Sequence, residues 1–151
     1  MDDKKDQIKT RPPRILVLDD DKTFRELLVD LFRSNGYEVV TVATGEDALC
    51  KVQEEQFDLA TIDFDLPGWV NGIDFLKELK EMASHTEVIL LTGNASEEVA
   101  KEAIIRGAYH YYVKPLHQID QFLQLIAQAL ESSRQKKKNK ENPNAHPSGQ
   151  S

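Results

Sequence analysis

The sequence is poor in several residue types that carry common chemistries. It has one cysteine, Cys50, one tryptophan, Trp69, and four histidines, His85, His110, His117 and His146. A lone cysteine excludes an internal disulfide and fits a reducing cytoplasm. Cys50 lies in a helical stretch, where its expected role is packing rather than catalysis. The histidines lack metal-ligand spacing, so surface positions are expected for all four. No apolar run approaches the roughly 18 residues of a membrane span. The N-terminal MDDKKDQIKTRPPR lacks the apolar middle of a signal peptide. No internal repeat of solenoid period is present.

What is present is ordinary for a globular chain: 40% apolar and 30% charged residues in a length of 151. That length accommodates one domain and a tail. The formal net charge of −7 is unevenly distributed. Residues 134–151 hold five Lys/Arg against one Glu, whereas residues 1–133 hold 14 basic against 25 acidic residues. An acidic body argues against nonspecific nucleic-acid binding and suits a site that gathers carboxylates around a divalent cation.

Residues 1–13 are polar, end in Pro12-Pro13 and read as a flexible leader. Ile15-Leu16-Val17-Leu18 is apolar without alternation, as expected of a parallel strand covered on both faces. Phe24, Leu27, Leu28, Leu31 and Phe32 then fall on one helical face, closed by Asn35-Gly36. A β-branched second strand spans Glu38 to Val42. Thr44 caps a helix through Gln56, with Ala48, Leu49 and Val52 inward. Leu59 to Ile62 forms the third strand, and Asn71 to Ala83 the next helix, with Ile73, Leu76, Leu79 and Met82 inward. Val88 to Leu91 is the fourth strand. Asn94 or Ser96 caps a helix ending at Arg106-Gly107. Tyr111 to Val113 is the fifth strand. The last helix presents Ile119, Phe122, Leu123, Ile126, Ala127 and Leu130 on one face. Residues 132–151 are polar and Lys-rich, with no apolar period, and read as a disordered tail or linker, with the basic run Arg134 to Lys140 as a solvated helix end and a nucleic-acid or membrane contact as the minor alternative. Five strand–helix alternations imply an α/β doubly wound sheet with right-handed crossovers, whose ligands sit at the carboxyl ends of the strands.

Four of those strand ends carry reactive residue types: Asp19 and Asp20 after the first, Asp63 at the third, Thr92 at the fourth and Lys114 at the fifth. Three clustered carboxylates raise one another's pKa unless a cation neutralises them. Oxygen ligands without His or Cys favour Mg²⁺. A metal bridging carboxylates and a phosphoryl group stabilises the spread negative charge of transfer. Lys114 can pair with a phosphoryl oxygen and the Thr92 hydroxyl can donate to another, while an aspartate is a known type of phosphoryl acceptor. Asp63 is therefore the candidate nucleophile.

The segments ILVLDDD, LATIDFDLPG, VILLTGN and GAYHYYVKPL, in this order and at these spacings, resemble the receiver domain of two-component response regulators, particularly the single-domain chemotaxis type. The resemblance spans roughly residues 14–131. It implies a flavodoxin-like (βα)5 sandwich with strand order 2-1-3-4-5 and a cis peptide at Lys114–Pro115. It also implies phosphorylation of Asp63 by a histidine kinase or phosphotransfer protein. Mg²⁺ would bind to Asp20, Asp63 and the backbone carbonyl of Asp65, with Asp19 acting through a metal-bound water. After phosphorylation Thr92 would move toward the phosphoryl oxygen and Tyr111 would swing inward, with Tyr112 an ordinary strand aromatic. The change would be read by a downstream protein on the face of the fourth helix, fifth strand and fifth helix. The implied protein is not an enzyme beyond its own phosphorylation and dephosphorylation. It contacts neither membrane nor nucleic acid directly, and is a monomer or a phosphorylation-dependent dimer.

The loop Trp69-Val70-Asn71-Gly72 is one residue longer than the commonest family form. Asp65 and Asn94 occupy positions that influence dephosphorylation in the family. With no output domain following, a stand-alone regulator is expected; a receiver module detached from a larger regulator or hybrid kinase is the alternative. Asp63-Phe64-Asp65 also resembles the nucleophile motif of haloacid-dehalogenase-type phosphatases. Pro67 stands where that family has Thr or Val, and the acidic pair here precedes the nucleophile instead of lying near the C-terminus. A pseudo-receiver that only binds partners is disfavoured by the intact Asp20, Asp63, Thr92 and Lys114 set.

Overall fold

A computed structural model describes residues 11–93 and 96–141. Strands and helices alternate as β1 (Arg14–Leu18), α1 (Lys22–Ser34), β2 (Glu38–Val42), α2 (Gly45–Glu54), β3 (Leu59–Asp63), α3 (Gly72–Met82), β4 (Glu87–Thr92), α4 (Glu97–Ile105), β5 (His110–Val113) and α5 (Ile119–Glu141). All four strand pairings are parallel and the sheet order is β2-β1-β3-β4-β5. This is the flavodoxin-like order, with its switch point between β1 and β3.

The apolar, non-alternating strands follow from burial on both faces. Side chains two apart share a face. Leu16, Leu18, Ala60, Ile62, Val88 and Leu90 therefore pack with Ala48 of α2, Phe75, Leu76 and Leu79 of α3 and Ala103 of α4. Ile15, Val17, Leu59, Ile89 and Leu91 pack instead with Leu28 and Phe32 of α1 and Phe122, Ile126 and Leu130 of α5. Phe32 and Phe122 stack with their ring centroids 6.0 Å apart.

Helix starts are fixed by side-chain oxygens that satisfy first-turn amides. Asp21 accepts from the Phe24 amide, Thr44 from Asp47, and Asn71 from Asp74 in a reciprocal capping box. Gly36, past the end of α1, takes φ +86°, a conformation that favours glycine.

Some inward positions differ from the periodic reading. Leu27 is 46% and Met82 41% exposed, whereas Phe75 is fully buried. A helix resting on a sheet buries a stripe set by its crossing angle, and a run such as Ile73-Asp74-Phe75-Leu76 permits more than one stripe. Ala127 is exposed and Ala129 is buried. Cys50 is exposed rather than packed, and His85 is buried rather than on the surface. Asn94, as cap and rate modifier, lies outside the described residues, as do His146, residues 1–10 of the leader and residues 142–151 of the tail.

The largest difference concerns the tail. Residues 132–151 read as a disordered tail or linker, but α5 continues to Glu141, with the exposed run Arg134 to Lys140 forming its solvated end. Its continuation is anchored by polar groups, which an apolar period cannot reveal. Ser132 Oγ donates to Glu87 Oε2, and Lys136 Nζ lies 2.9 Å from the same oxygen. Arg134 and Gln135 hold Glu131 on the exposed side. At the other end β1 begins at Arg14, as expected, and the Pro13 carbonyl just before it accepts from the Glu38 amide.

Candidate functional site

Because every strand runs the same way, residues from distant parts of the sequence meet at the carboxyl edge. Asp19 and Asp20 follow β1, Asp63 ends β3, Thr92 ends β4 and Lys114 follows β5. Ladder hydrogen bonds extend to these positions and fix them. The Asp19 amide donates to the Val42 carbonyl at 3.2 Å, Phe64 to Leu91 at 2.8 Å, and Lys114 to Thr92 at 2.8 Å. The Lys114–Pro115 peptide is cis, as the resemblance implied.

One oxygen from each of Asp19, Asp20 and Asp63 lies within 4.8 Å of the other two. Asp19 and Asp63 are buried, Asp20 is exposed, and Thr92 is fully buried. Both Asp19 oxygens are engaged: Oδ1 accepts the Asp21 amide at 2.9 Å and Oδ2 accepts Lys114 Nζ at 2.7 Å. Asp63 differs. Its Oδ1 accepts the Asp65 amide at 3.0 Å, but its Oδ2 is 3.7 Å from Lys114 Nζ. Lys114 is thus held more closely by Asp19 than by Asp63.

Burial pushes the Asp63 carboxyl up to about 6; the Asp65 amide opposes this, the Asp19 charge adds to it, Lys114 opposes it and Asp20 adds to it. The three carboxylates are thus only partly neutralised by Lys114. A hard divalent cation with oxygen preference, Mg²⁺ above all, fits both the donor set and the excess negative charge. In the metal-free protein the raised folded-state pKa means that protonated Asp63 favours folding. This contribution is complete below the unfolded value, near 4, and is lost as pH rises through about 6. With chelator present, Asp63→Asn is therefore expected to gain thermal stability relative to wild type as pH rises from about 4 to about 6, the two pKa values that bound the loss. A melting-temperature difference that stays constant across this range would contradict it.

Asp65 is exposed and contributes its amide to Asp63. Tyr111 is half-buried, packs against the core cluster shared with α2 and α3, and stacks on His110 at 5.4 Å. Tyr112 points to the opposite core, edge-on to Phe122 at 5.1 Å. Trp69 is on the β3–α3 loop and 94% exposed. Two surface cavities of about 290 and 750 Å³ lie at the opposite, amino edge of the sheet and contain none of the three aspartates.

Three neighbours of the site carry no reactive signature in the sequence. Arg25 Nη1 donates to the Asp19 carbonyl at 2.7 Å. The Phe24 ring lies 4.4 Å from Lys114 Nζ. Gly72 packs against the backbone of Asp63 and Phe64. Phe24 reads as one more core residue in a helical period, and only the lysine's position on another strand gives it a second role.

A parallel sheet in this order, carrying an acidic cluster and an ammonium at its carboxyl edge, defines a flavodoxin-like domain with an acidic pocket at its switch-point edge. Known proteins specify it further. Residues 15–127 match the family described as the response regulator receiver domain. The chain is 35% identical over 118 residues to the chemotaxis protein CheY of Bacillus subtilis, covering 78% of this chain and 97% of that protein. It is 36% identical over 121 residues to the transcriptional regulatory protein ZraR of Salmonella typhimurium, covering 80% of this chain. There it spans 27% of the relative's length. The CheX–CheY–BeF3–Mg complex of Borrelia burgdorferi superposes with a TM-score of 0.71 at 30% identity, over 76% of this chain and 87% of that one. The chain belongs to the response regulator receiver family of two-component systems, whose members signal through phosphorylation. No helix among the described residues is long and apolar enough to cross a membrane.

Proposed function

We propose that Asp63 is the phosphoacceptor of this receiver and that Mg²⁺ is its cofactor. The observation that carries the reading is the pairing of a buried, incompletely neutralised Asp63 carboxylate with Asp19, Asp20 and Lys114 at one sheet edge. Asp63 Oδ2 attacks the phosphorus of a phosphohistidine on a histidine kinase or phosphotransfer protein. The P–N bond breaks, and the histidine nitrogen leaves with its electron pair. Lys114 draws one phosphoryl oxygen, and the Thr92 hydroxyl donates to another. Asp20, Asp63 and the Asp65 backbone carbonyl would hold the metal, with Asp19 contributing through a water. When bound, Mg²⁺ supplies charge neutralisation for the transferring group.

The added charge, about −1.5 to −2, biases Thr92 and Tyr111 toward a second arrangement, read by a protein partner on the face of α4, β5 and α5. The neighbouring complex with Mg²⁺ and a second protein supports both the cofactor and a protein partner. The protein acts in the cytoplasm on proteins, without direct contact to nucleic acid or membrane, as a monomer or as a dimer formed on phosphorylation. It catalyses only its own phosphorylation and dephosphorylation. Its similarity both to a protein that it covers almost end to end and to a segment of a longer regulator is compatible with a single-domain switch or with a module of a larger one.

The test is intact mass after incubation with Mg²⁺ and acetyl phosphate. Wild type is expected to gain one phosphoryl group and Asp63→Asn none. An equal gain in the variant, or no gain in wild type, would refute the assignment.

A further inference from the structure

We propose that Phe24 is a positioning residue for Lys114, holding the ammonium between Asp19 and Asp63 through the face of its ring. This rests on the phosphoacceptor reading of the site, and it names a residue to which the charge pattern gives no role. The ammonium lies 4.4 Å from the Phe24 ring centroid, 2.7 Å from Asp19 Oδ2 and 3.7 Å from Asp63 Oδ2. An ammonium on a flexible four-carbon stem is ordinarily a mobile, strongly hydrated point charge. Here the electron-rich ring face attracts it and takes the place of water on one side.

The ring is itself held in place. The Phe24 amide donates to Asp21 Oδ1 at 3.2 Å, and the Asp21 amide donates to Asp19 Oδ1 at 2.9 Å. Asp19 Oδ2 in turn accepts Lys114 Nζ. Asp19, Asp21, Phe24 and Lys114 thus form a closed circuit, in which the helix cap of α1 sets the ring and the ring sets the ammonium. Phe24 is half-buried and packs against the α1–α5 core. A leucine there retains apolar packing and loses the ring face, whereas tyrosine retains both.

One N–H of Lys114 is committed to Asp19. With the ring covering another side, the remaining donors are confined toward Asp63, where the phosphoryl oxygens come to lie. In Phe24→Leu the ammonium gains freedom to turn toward water. Phosphoryl uptake is then expected to slow by roughly three- to thirtyfold, the range that a cation–π contact of this kind spans. Phe24→Tyr should restore the rate.

The experiment has two arms. In the unphosphorylated protein, NMR of Lys114 is expected to give ring-shifted Cε proton resonances in wild type and Phe24→Tyr, and resonances near those of a free lysine in Phe24→Leu. In the second arm, uptake from acetyl phosphate with Mg²⁺ is followed by mass in the same three proteins, with melting temperatures measured in parallel. The proposal is overturned if Lys114 is unshifted in wild type. It is equally overturned if Phe24→Leu takes up phosphate at the wild-type rate, or if folded Phe24→Tyr fails to recover it. Absence of uptake in wild type with shifted Lys114 resonances would condemn the phosphoacceptor reading and leave the ring–ammonium contact standing.

Discussion

Chelating Mg²⁺, or replacing Asp20 with Asn, is expected to slow phosphoryl uptake by roughly a hundredfold or more while leaving the fold intact. The magnitude follows from the charges. Asp19, Asp20 and Asp63 meet an incoming dianionic group, and among the described residues Lys114 is the cation paired with their carboxylates. A metal that neutralises such a transition state contributes several kcal/mol, and each 1.36 kcal/mol is about tenfold in rate. Asp20 is the informative position because it is exposed. Its side chain is not part of the core, so stability should change by less than about 1 kcal/mol. Asp19 would confound the test, being buried and bonded to the Asp21 amide and to Lys114. Uptake rates measured against Mg²⁺ concentration check this. The variant should need more metal, and a rate independent of metal in wild type would contradict the cofactor assignment.

The second large effect is expected from a methyl group. A Cβ on Gly72 would lie 2.5 Å from the Asp63 carbonyl oxygen, 3.1 Å from Phe64 Cα and 3.2 Å from the Phe64 carbonyl oxygen. All three are backbone atoms that cannot rotate away. Alanine is the better helix former by about 0.5–1 kcal/mol, whereas overpacking of this kind costs about 1–3 kcal/mol. The clash should win, lowering the melting temperature by several degrees. Because the displaced backbone carries the nucleophile, phosphoryl uptake should also fall, by up to about a hundredfold for a shift near 1 Å. Gly93→Ala is the control, since a Cβ there meets nothing within 4 Å. A Gly72→Ala protein as stable and as reactive as wild type would show that the close approach is relieved without consequence.

Much of this was legible in the sequence because the sheet is parallel and buried. Ile15 to Leu18 are apolar and Leu59 to Ile62 apolar but for Thr61, both without alternation, and the residues following such runs must lie at one edge. Knowing that edge places Asp19, Asp20, Asp63, Thr92 and Lys114 together before any contact is measured. Strand order is different, since periodicity is identical for every permutation of the strands; it came from the resemblance to receiver domains. The features that could not be read depend on pairs of elements. Glu87 is a charged residue at the start of an apolar strand, and nothing local says that Ser132 and Lys136 will reach it and carry α5 onward. Phe24 is similarly ordinary until β5 brings Lys114 over its ring. Leu27 and Phe75 exchange their expected burial because the helix crossing angle, rather than composition, selects the stripe that faces the sheet.

The most direct test of the central claim locates the phosphoryl group itself. Wild-type protein incubated with acetyl phosphate and Mg²⁺ is reduced with borohydride, which converts an aspartyl phosphate to homoserine, and then digested and sequenced by mass spectrometry. Homoserine at position 63, with Asp19, Asp20 and Asp65 unchanged, is the predicted result. Reduction at another aspartate, or at none, would contradict the account.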